Sequence, residues 1–88
     1  MEQQLLNLGF GNSVVAQKVV AILTPASSPI KRVKDEAKQE KRLLDVTHGR
    51  KTRAVVIMES NHVILSATQA ETLSSRFEAL MNPEQEKA

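Results

Sequence analysis

The stretch His48-Gly49-Arg50-Lys51-Thr52-Arg53-Ala54-Val55-Val56-Ile57-Met58 changes character half-way along. Its first half is polar and basic around a glycine. Its second half is five apolar residues in a row, three of them β-branched. Such residues favour extended backbone, and five is an ordinary strand length. A strand with one wet face alternates apolar and polar residues, and this one does not, so both of its faces want cover. One face can take a helix of the same chain, and the other needs a second helix or another subunit. Self-association is the favoured expectation of the two. Val55, Val56, Ile57 and Met58 are therefore candidates for the core or for an oligomer interface.

Working outward, Glu59-Ser60-Asn61 predicts a turn into a strand over His62–Ser66, and His48–Lys51 a turn between strands Leu43–Thr47 and Thr52–Met58. Together these three strands are expected to form an antiparallel meander. Nearer the N-terminus, Leu5–Leu8 predicts a strand, Gly9-Phe10-Gly11-Asn12 a turn, and Val14 to Leu23 a second strand bent near Gln17. Ser28 is placed as the N-cap of a helix with Pro29 in its first position, running to about Arg42 with Ile30, Val33 and Ala37 as its apolar stripe. Thr68 and Glu71 have the spacing of a capping box for a last helix, whose apolar face is Leu73, Phe77, Leu80 and Met81 and which Asn82-Pro83 ends. The expected fold class is α+β: a small antiparallel sheet of about five strands with two helices. Residues 1–82 form the single domain, and 83–88 a polar C-terminal tail.

An 88-residue chain has room for one core, at a size where oligomerisation often supplements it. Phe10 and Phe77 are the only aromatics, and both are expected in that core. There is no cysteine, which excludes disulfides, thiol catalysis and cysteine-bound zinc. No apolar run approaches the ~20 residues that cross a bilayer. The start, Glu2-Gln3-Gln4, lacks the basic-then-apolar profile of a signal peptide, so the expected location is cytoplasmic, with no membrane partner.

Catalysis has little to stand on. His48 and His62 have no second ligand at metal spacing, and no phosphate loop or nucleophile elbow is present. Asp35 and Glu36 diverge on a helix. The expectation is therefore no enzyme, no cofactor, no metal and no small-molecule substrate. The charge distribution says more. Residues 31–53 carry nine cations against four acids, in a chain whose net charge is +2. Such a local excess is an electrostatic footprint for an anionic partner.

Gly49 permits a tight reversal that would place Arg50 and Lys51 at a hairpin tip, with Arg53 one step into the strand. Guanidinium groups bond phosphate and guanine edges bidentately, and a turn tip can enter a groove. Thr47 and Thr52 offer hydroxyls suited to phosphate contacts. The competing explanation is that these cations keep an edge strand soluble. Lys31, Arg32, Lys34, Lys38 and Lys41 are interleaved with Asp35, Glu36 and Glu40, which marks a solvated helix face. With two aromatics, base stacking on a sheet is not expected, which argues against single-strand and RNA-recognition folds.

Several segments together resemble the RemA family of bacterial regulators of extracellular matrix genes. They are Asn7-Leu8-Gly9-Phe10-Gly11-Asn12, Ser28-Pro29-Ile30-Lys31-Arg32, Gly49-Arg50 with Thr52 to Met58, His62 to Ala67, and Glu71-Thr72. The resemblance implies a sequence-selective double-stranded DNA binder that activates biofilm-matrix operons and some osmoprotection genes. It implies ring-shaped homo-oligomers with DNA on the rim, hence a nucleoid-associated location. It also implies that Arg50 and Lys51 are primary DNA contacts and Lys18 a secondary one; Arg53 joins them on local chemistry and the shared motif. Lys18 and Lys51 stand where the family usually has arginine, and lysine keeps the charge but loses the planar fork. His48 stands for a tyrosine and Ala70 for a proline. Two other functions compete with this one: an oligomeric scaffold for an acidic protein partner, and an enzyme acting on a small anionic metabolite.

Overall fold

The structure is a computed structural model that describes residues 3–82; the expected polar tail at 83–88 and Pro83 lie outside them. Strands β1 (Leu5–Gly9) and β2 (Asn12–Val15) form an antiparallel hairpin. A single 3-10 turn at Ala16–Lys18 then swings the chain into β3 (Val19–Leu23), so the bend expected near Gln17 divides two strands that belong to different sheets. Helix α1 (Ser28–Gln39), β4 (Leu43–Asp45), β5 (Ala54–Met58), β6 (Val63–Ser66) and α2 (Ala70–Met81) follow. In place of one sheet of five strands there is a two-stranded hairpin and a four-stranded sheet in the order β3-β5-β6-β4.

The expected meander holds for β5 and β6 and fails for β4. β5 and β6 pair antiparallel through a turn closed by the Asn61 N–H on the Met58 carbonyl (2.9 Å). β4 pairs with β6 in parallel, Leu44 beside Ile64. The reason lies upstream. β3 already occupies the other edge of β5, with Ile22 opposite Val56, and α1 carries the chain back across one face of the sheet before β4 begins. A helical crossover returns a strand in the direction of the one that preceded it. β4 therefore runs with β3, and the edge left for it is that of β6.

The unbroken apolar run of β5 is explained within one chain. Val55, with Val63 and Leu65 of β6, packs on Ala37, Ile30 and Val33 of α1. Val56 and Ala54, with Ile64, pack on the other face against Leu6, Leu8, Ala70 and Leu73. Val55 and Val56 are fully buried, and Ile57 and Met58 half-buried. The two helices sandwich the sheet, so covering β5 requires no second subunit.

The helix ends differ from expectation by one residue or more. Ser27, not Ser28, caps α1, its carbonyl accepting from the Ile30 and Lys31 N–H groups. The helix stops at Gln39, short of Arg42, because Lys41 turns left-handed (φ 61°). The Arg42 N–H then reaches the Ala37 carbonyl (2.7 Å) and the Lys41 N–H the Lys38 carbonyl (3.2 Å), the pair of bonds of a Schellman end. The N-cap of α2 is Gln69, not Thr68, and there is no capping box. The Thr68 hydroxyl instead donates to the Leu8 carbonyl (3.0 Å), tying α2 to the first hairpin.

Candidate nucleic-acid interface

The topology places the basic loop at one end of the sheet. β3 and β6 finish there, both helices start there, and the loop 46–53 crosses that end from β4 to β5. The crossing is pinned on both sides of β6: the Val46 N–H bonds the Leu65 carbonyl (3.0 Å) and the Arg53 N–H the Ser66 carbonyl (2.8 Å). Gly49-Arg50-Lys51 is thus the outer part of a bridge over the end of β6, and not the tip of a hairpin.

Three local devices shape this loop. Asp45 opens it: its carboxylate accepts the Thr47 hydroxyl (2.6 Å) and the Thr47 N–H (2.9 Å). Those bonds, the hydroxyl's first, hold the Asp45 carboxyl below the ordinary aspartate range, against a slight desolvation in the opposite sense. Thr47 is buried and its hydroxyl is occupied, so it is not the phosphate ligand the sequence suggested. Next, the Arg50 N–H bonds the Thr47 carbonyl (3.0 Å) around His48 (φ 57°) and Gly49 (φ 78°). Two successive positive φ angles are the signature of a type I′ reversal, which glycine adopts without penalty and histidine adopts under strain.

The third device is aromatic. The Phe10 and His48 rings meet at a centroid distance of 4.9 Å, and the Arg50 guanidinium lies 5.5 Å from the centre of the Phe10 ring. Phe10 is 49% exposed and is not a core residue. It projects from the β1–β2 turn, where Gly9, Phe10 and Gly11 all have positive φ. Gly9 is also sterically required, since a Cβ there would stand 2.9 Å from the Thr68 hydroxyl oxygen.

Arg50, Lys51 and Arg53 are exposed and, with Ala67, line a shallow depression of about 390 Å³. None is in an ion pair; among the described residues the one ion pair joins Arg42 to Glu40. On the far side of Lys51 and Arg53 opens a larger cleft of about 710 Å³, walled also by Lys34, Pro25, Ala26 and Glu71. Lys18 is elsewhere. Its carbonyl accepts the Glu59 N–H (2.8 Å) and the next residue, Val19, pairs with Met58, at the opposite end of β5 from Arg53. Strand rise separates the two by roughly 15 Å along the sheet.

The structure thus brings Arg50, Lys51 and Arg53 together and leaves Lys18 apart. It adds two residues that sequence reasoning assigned to other roles, Phe10 and His48, while Lys34 stands apart from the loop in the wall of the neighbouring cleft. For Phe10 a signal was present, because a large apolar residue between two turn glycines faces solvent at a loop tip. Among the described residues, no three histidines, cysteines or carboxylates come together as a metal site, and no helix is long and apolar enough to cross a membrane.

The sequence profile of the family described as extracellular matrix regulatory protein A-like, RemA-like, matches residues 5–77. The chain belongs to the RemA-like family. It is 59% identical over 78 residues to a protein of Desulfosudis oleivorans, covering 89% of this chain and 80% of that one. It is 60% identical over 82 residues to one from Desulfatibacillum aliphaticivorans, with 93% and 92% covered. With a protein of Thermotoga petrophila it shares 59% of 73 residues, covering 83% and 79%. All three carry a provisional regulatory-protein name. The RemA-like family is regulatory by description, and the matched span contains the Phe10 turn, the basic loop and most of α2.

Proposed function

We propose that this chain is a sequence-selective double-stranded DNA-binding transcriptional regulator, an activator of extracellular matrix genes that works as a ring-shaped homo-oligomer. The observation that carries the proposal is the exposed set Arg50, Lys51 and Arg53, without an ion-pair partner among the described residues, on one hydrogen-bonded loop with Arg50 over the Phe10 ring. A solubilising edge needs neither a shaped loop nor an arginine held against a ring. Phosphate contact needs both charge and position.

Three or four cations per copy bind duplex weakly, because affinity grows with the number of phosphates whose counterions are released. Repetition of the loop around an oligomer multiplies these contacts and lets the duplex follow a curved path. The sheet has open edges for such assembly: Val20 on β3 is 64% exposed and Leu44 on β4 is 49% exposed. Lys18, at the opposite end of β5, enters the DNA path from another part of the copy's surface or beside a neighbour's loop.

The test is a fluorescence-anisotropy titration of a mixed-sequence duplex at two salt concentrations, with wild type and Arg50→Ala in parallel. Steeply salt-dependent binding, lost in the variant at the higher salt and reduced to what Lys51 and Arg53 support at the lower, while size-exclusion chromatography shows an unchanged assembly, is the expected result. An absence of wild-type binding to several duplexes at low salt would transfer the basic loop to an acidic protein partner. Loss of the assembly in Arg50→Ala would refute the division between the DNA loop and the subunit interface.

A further inference from the structure

The cleft beside the basic loop is built differently from a surface that only touches DNA. Its cations come from two separate elements, Lys34 from α1 and Lys51 and Arg53 from the loop. Lys34 is half-buried, unlike Lys31, Lys38 and Lys41 on the same helix and its end, and it has no ion-pair partner among the described residues. Lys34 thus differs from the exposed lysines of the same helix and lines a concavity. Among the described residues Glu71 is the one acid in the lining, against three cations. Pro25, Ala26 and Ala70 supply apolar wall. The cleft volume, about 710 Å³, falls within the usual range for small-molecule sites.

We propose that this cleft binds a small organic diphosphate of the nucleotide class, and that the bound ligand competes with DNA for Lys51 and Arg53. Three cations face a terminal diphosphate, which carries about three negative charges at neutral pH, and Glu71 opposes one of them. The Arg53 fork suits two phosphate oxygens, while the two ammonium groups act as point charges on the rest. The start of α2 lies in the wall at Gln69 and Ala70 with no side-chain cap bond, so its dipole favours an anion, partly offset by Glu71 in the first turn. The apolar wall covers the sugar or base. No aromatic residue lines the cleft, so selection is for the diphosphate more than for one base. Lys34 is set back from the exposed loop and serves the small ligand, whereas Lys51 and Arg53 are shared. The competition rests on the DNA-binding function proposed above; the ligand site does not.

Isothermal titration calorimetry of the purified assembly at constant ionic strength, with ADP, inorganic pyrophosphate and adenosine, tests the site. ADP should bind at least as tightly as pyrophosphate, adenosine should give no heat, and Lys34→Ala should weaken ADP by about ten-fold or more. Lys34→Ala should hold DNA affinity within about three-fold, and ADP should displace duplex from wild type but far less from the variant. Lys34→Gln, which keeps the stem, should lose ADP equally, and thermal melts confirm that both variants are folded. No heat from ADP and pyrophosphate at about 5 mM, or equal ADP binding by both Lys34 variants, overturns the site. Binding of pyrophosphate without ADP overturns the nucleotide class. ADP binding by a protein that ignores duplex DNA would support the site and sink the DNA function alone.

Discussion

Replacing Phe10 with alanine should weaken DNA binding without unfolding the protein, and the size of the loss follows from the structure. The ring centre lies 5.5 Å from the Arg50 guanidinium, within cation–π range. At an exposed site that contact contributes about 0.5–1 kcal/mol. Freed from the ring, Arg50 must be ordered afresh on binding, at a cost of roughly 0.5–1.5 kcal/mol. Because the ring contact is already made without DNA, binding feels only the ordering cost, roughly 0.5–1.5 kcal/mol for each contacting copy, or about 2- to 13-fold in affinity. Because Phe10 is 49% exposed and its φ of 55° burdens alanine as much as phenylalanine, little stability is at stake. The assay is duplex anisotropy on wild type, Phe10→Ala, Arg50→Ala and the double variant. If Phe10 acts by holding Arg50, removing it from the Arg50→Ala background changes almost nothing. Equal losses in both backgrounds would show that Phe10 meets the DNA by itself. An unchanged affinity in the single variant would refute the brace altogether. Phe10→Leu should fall between alanine and wild type, since it restores bulk without the ring.

Three further outcomes are expected. Gly9→Ala combines a left-handed φ of 99° with a Cβ placed 2.9 Å from the Thr68 hydroxyl oxygen. Strain and the displaced hydrogen bond together cost about 2–3 kcal/mol, which lowers the melting temperature by roughly 10–20 °C; a melt within about 3 °C of wild type would contradict this. Val56→Asp puts an unpaired charge where no surface is exposed. It should yield insoluble or unfolded protein, and a soluble assembly with wild-type circular dichroism would show that the site is not buried. The Asp45 carboxyl is held below its ordinary range by Thr47. Its contribution is therefore fully present above the unfolded-state value of about 3.9 and is lost as pH falls through the lower folded-state value. The gap in melting temperature between wild type and Asp45→Asn should be flat from about pH 7 to 5 and close in stronger acid; a gap that widens on acidification would reverse the assigned sign.

Much of the fold is legible in residue patterns. β-Branched runs mark β3, β5 and β6, and three- and four-residue apolar spacing marks both helices. The pairing of β4 is not legible from its own residues, because Leu43-Leu44-Asp45 is too short to encode a partner. The order strand, helix, strand around α1 carried the information, since a helical crossover favours a parallel return. The missing alternation in β5 told that both of its faces are covered, but not by which element. Ile30, Val33 and Ala37 suffice to cover Val55, Val63 and Leu65. In the candidate site, the clustering of Arg50, Lys51 and Arg53 follows from their closeness in the chain. The Phe10–His48–Arg50 contact joins residues about forty apart, and Lys34 is singled out among its neighbours by depth alone. Neither has a local sequence signal.

The bridge formed by residues 46–53 has a consequence for how the basic loop can be handled as a part. Its two ends hang on opposite sides of β6, at Leu65 and Ser66, and its Arg50 leans on a ring forty residues earlier. The binding surface is therefore a property of the assembled domain and is not portable. A peptide copying this loop, or its transplant onto a foreign hairpin, would carry the same charges without their spacing. A chain still lacking β6 during folding would be as basic as the finished protein and yet have no shaped surface to offer, so under the proposed function occupancy of DNA would double as a report that the domain has closed.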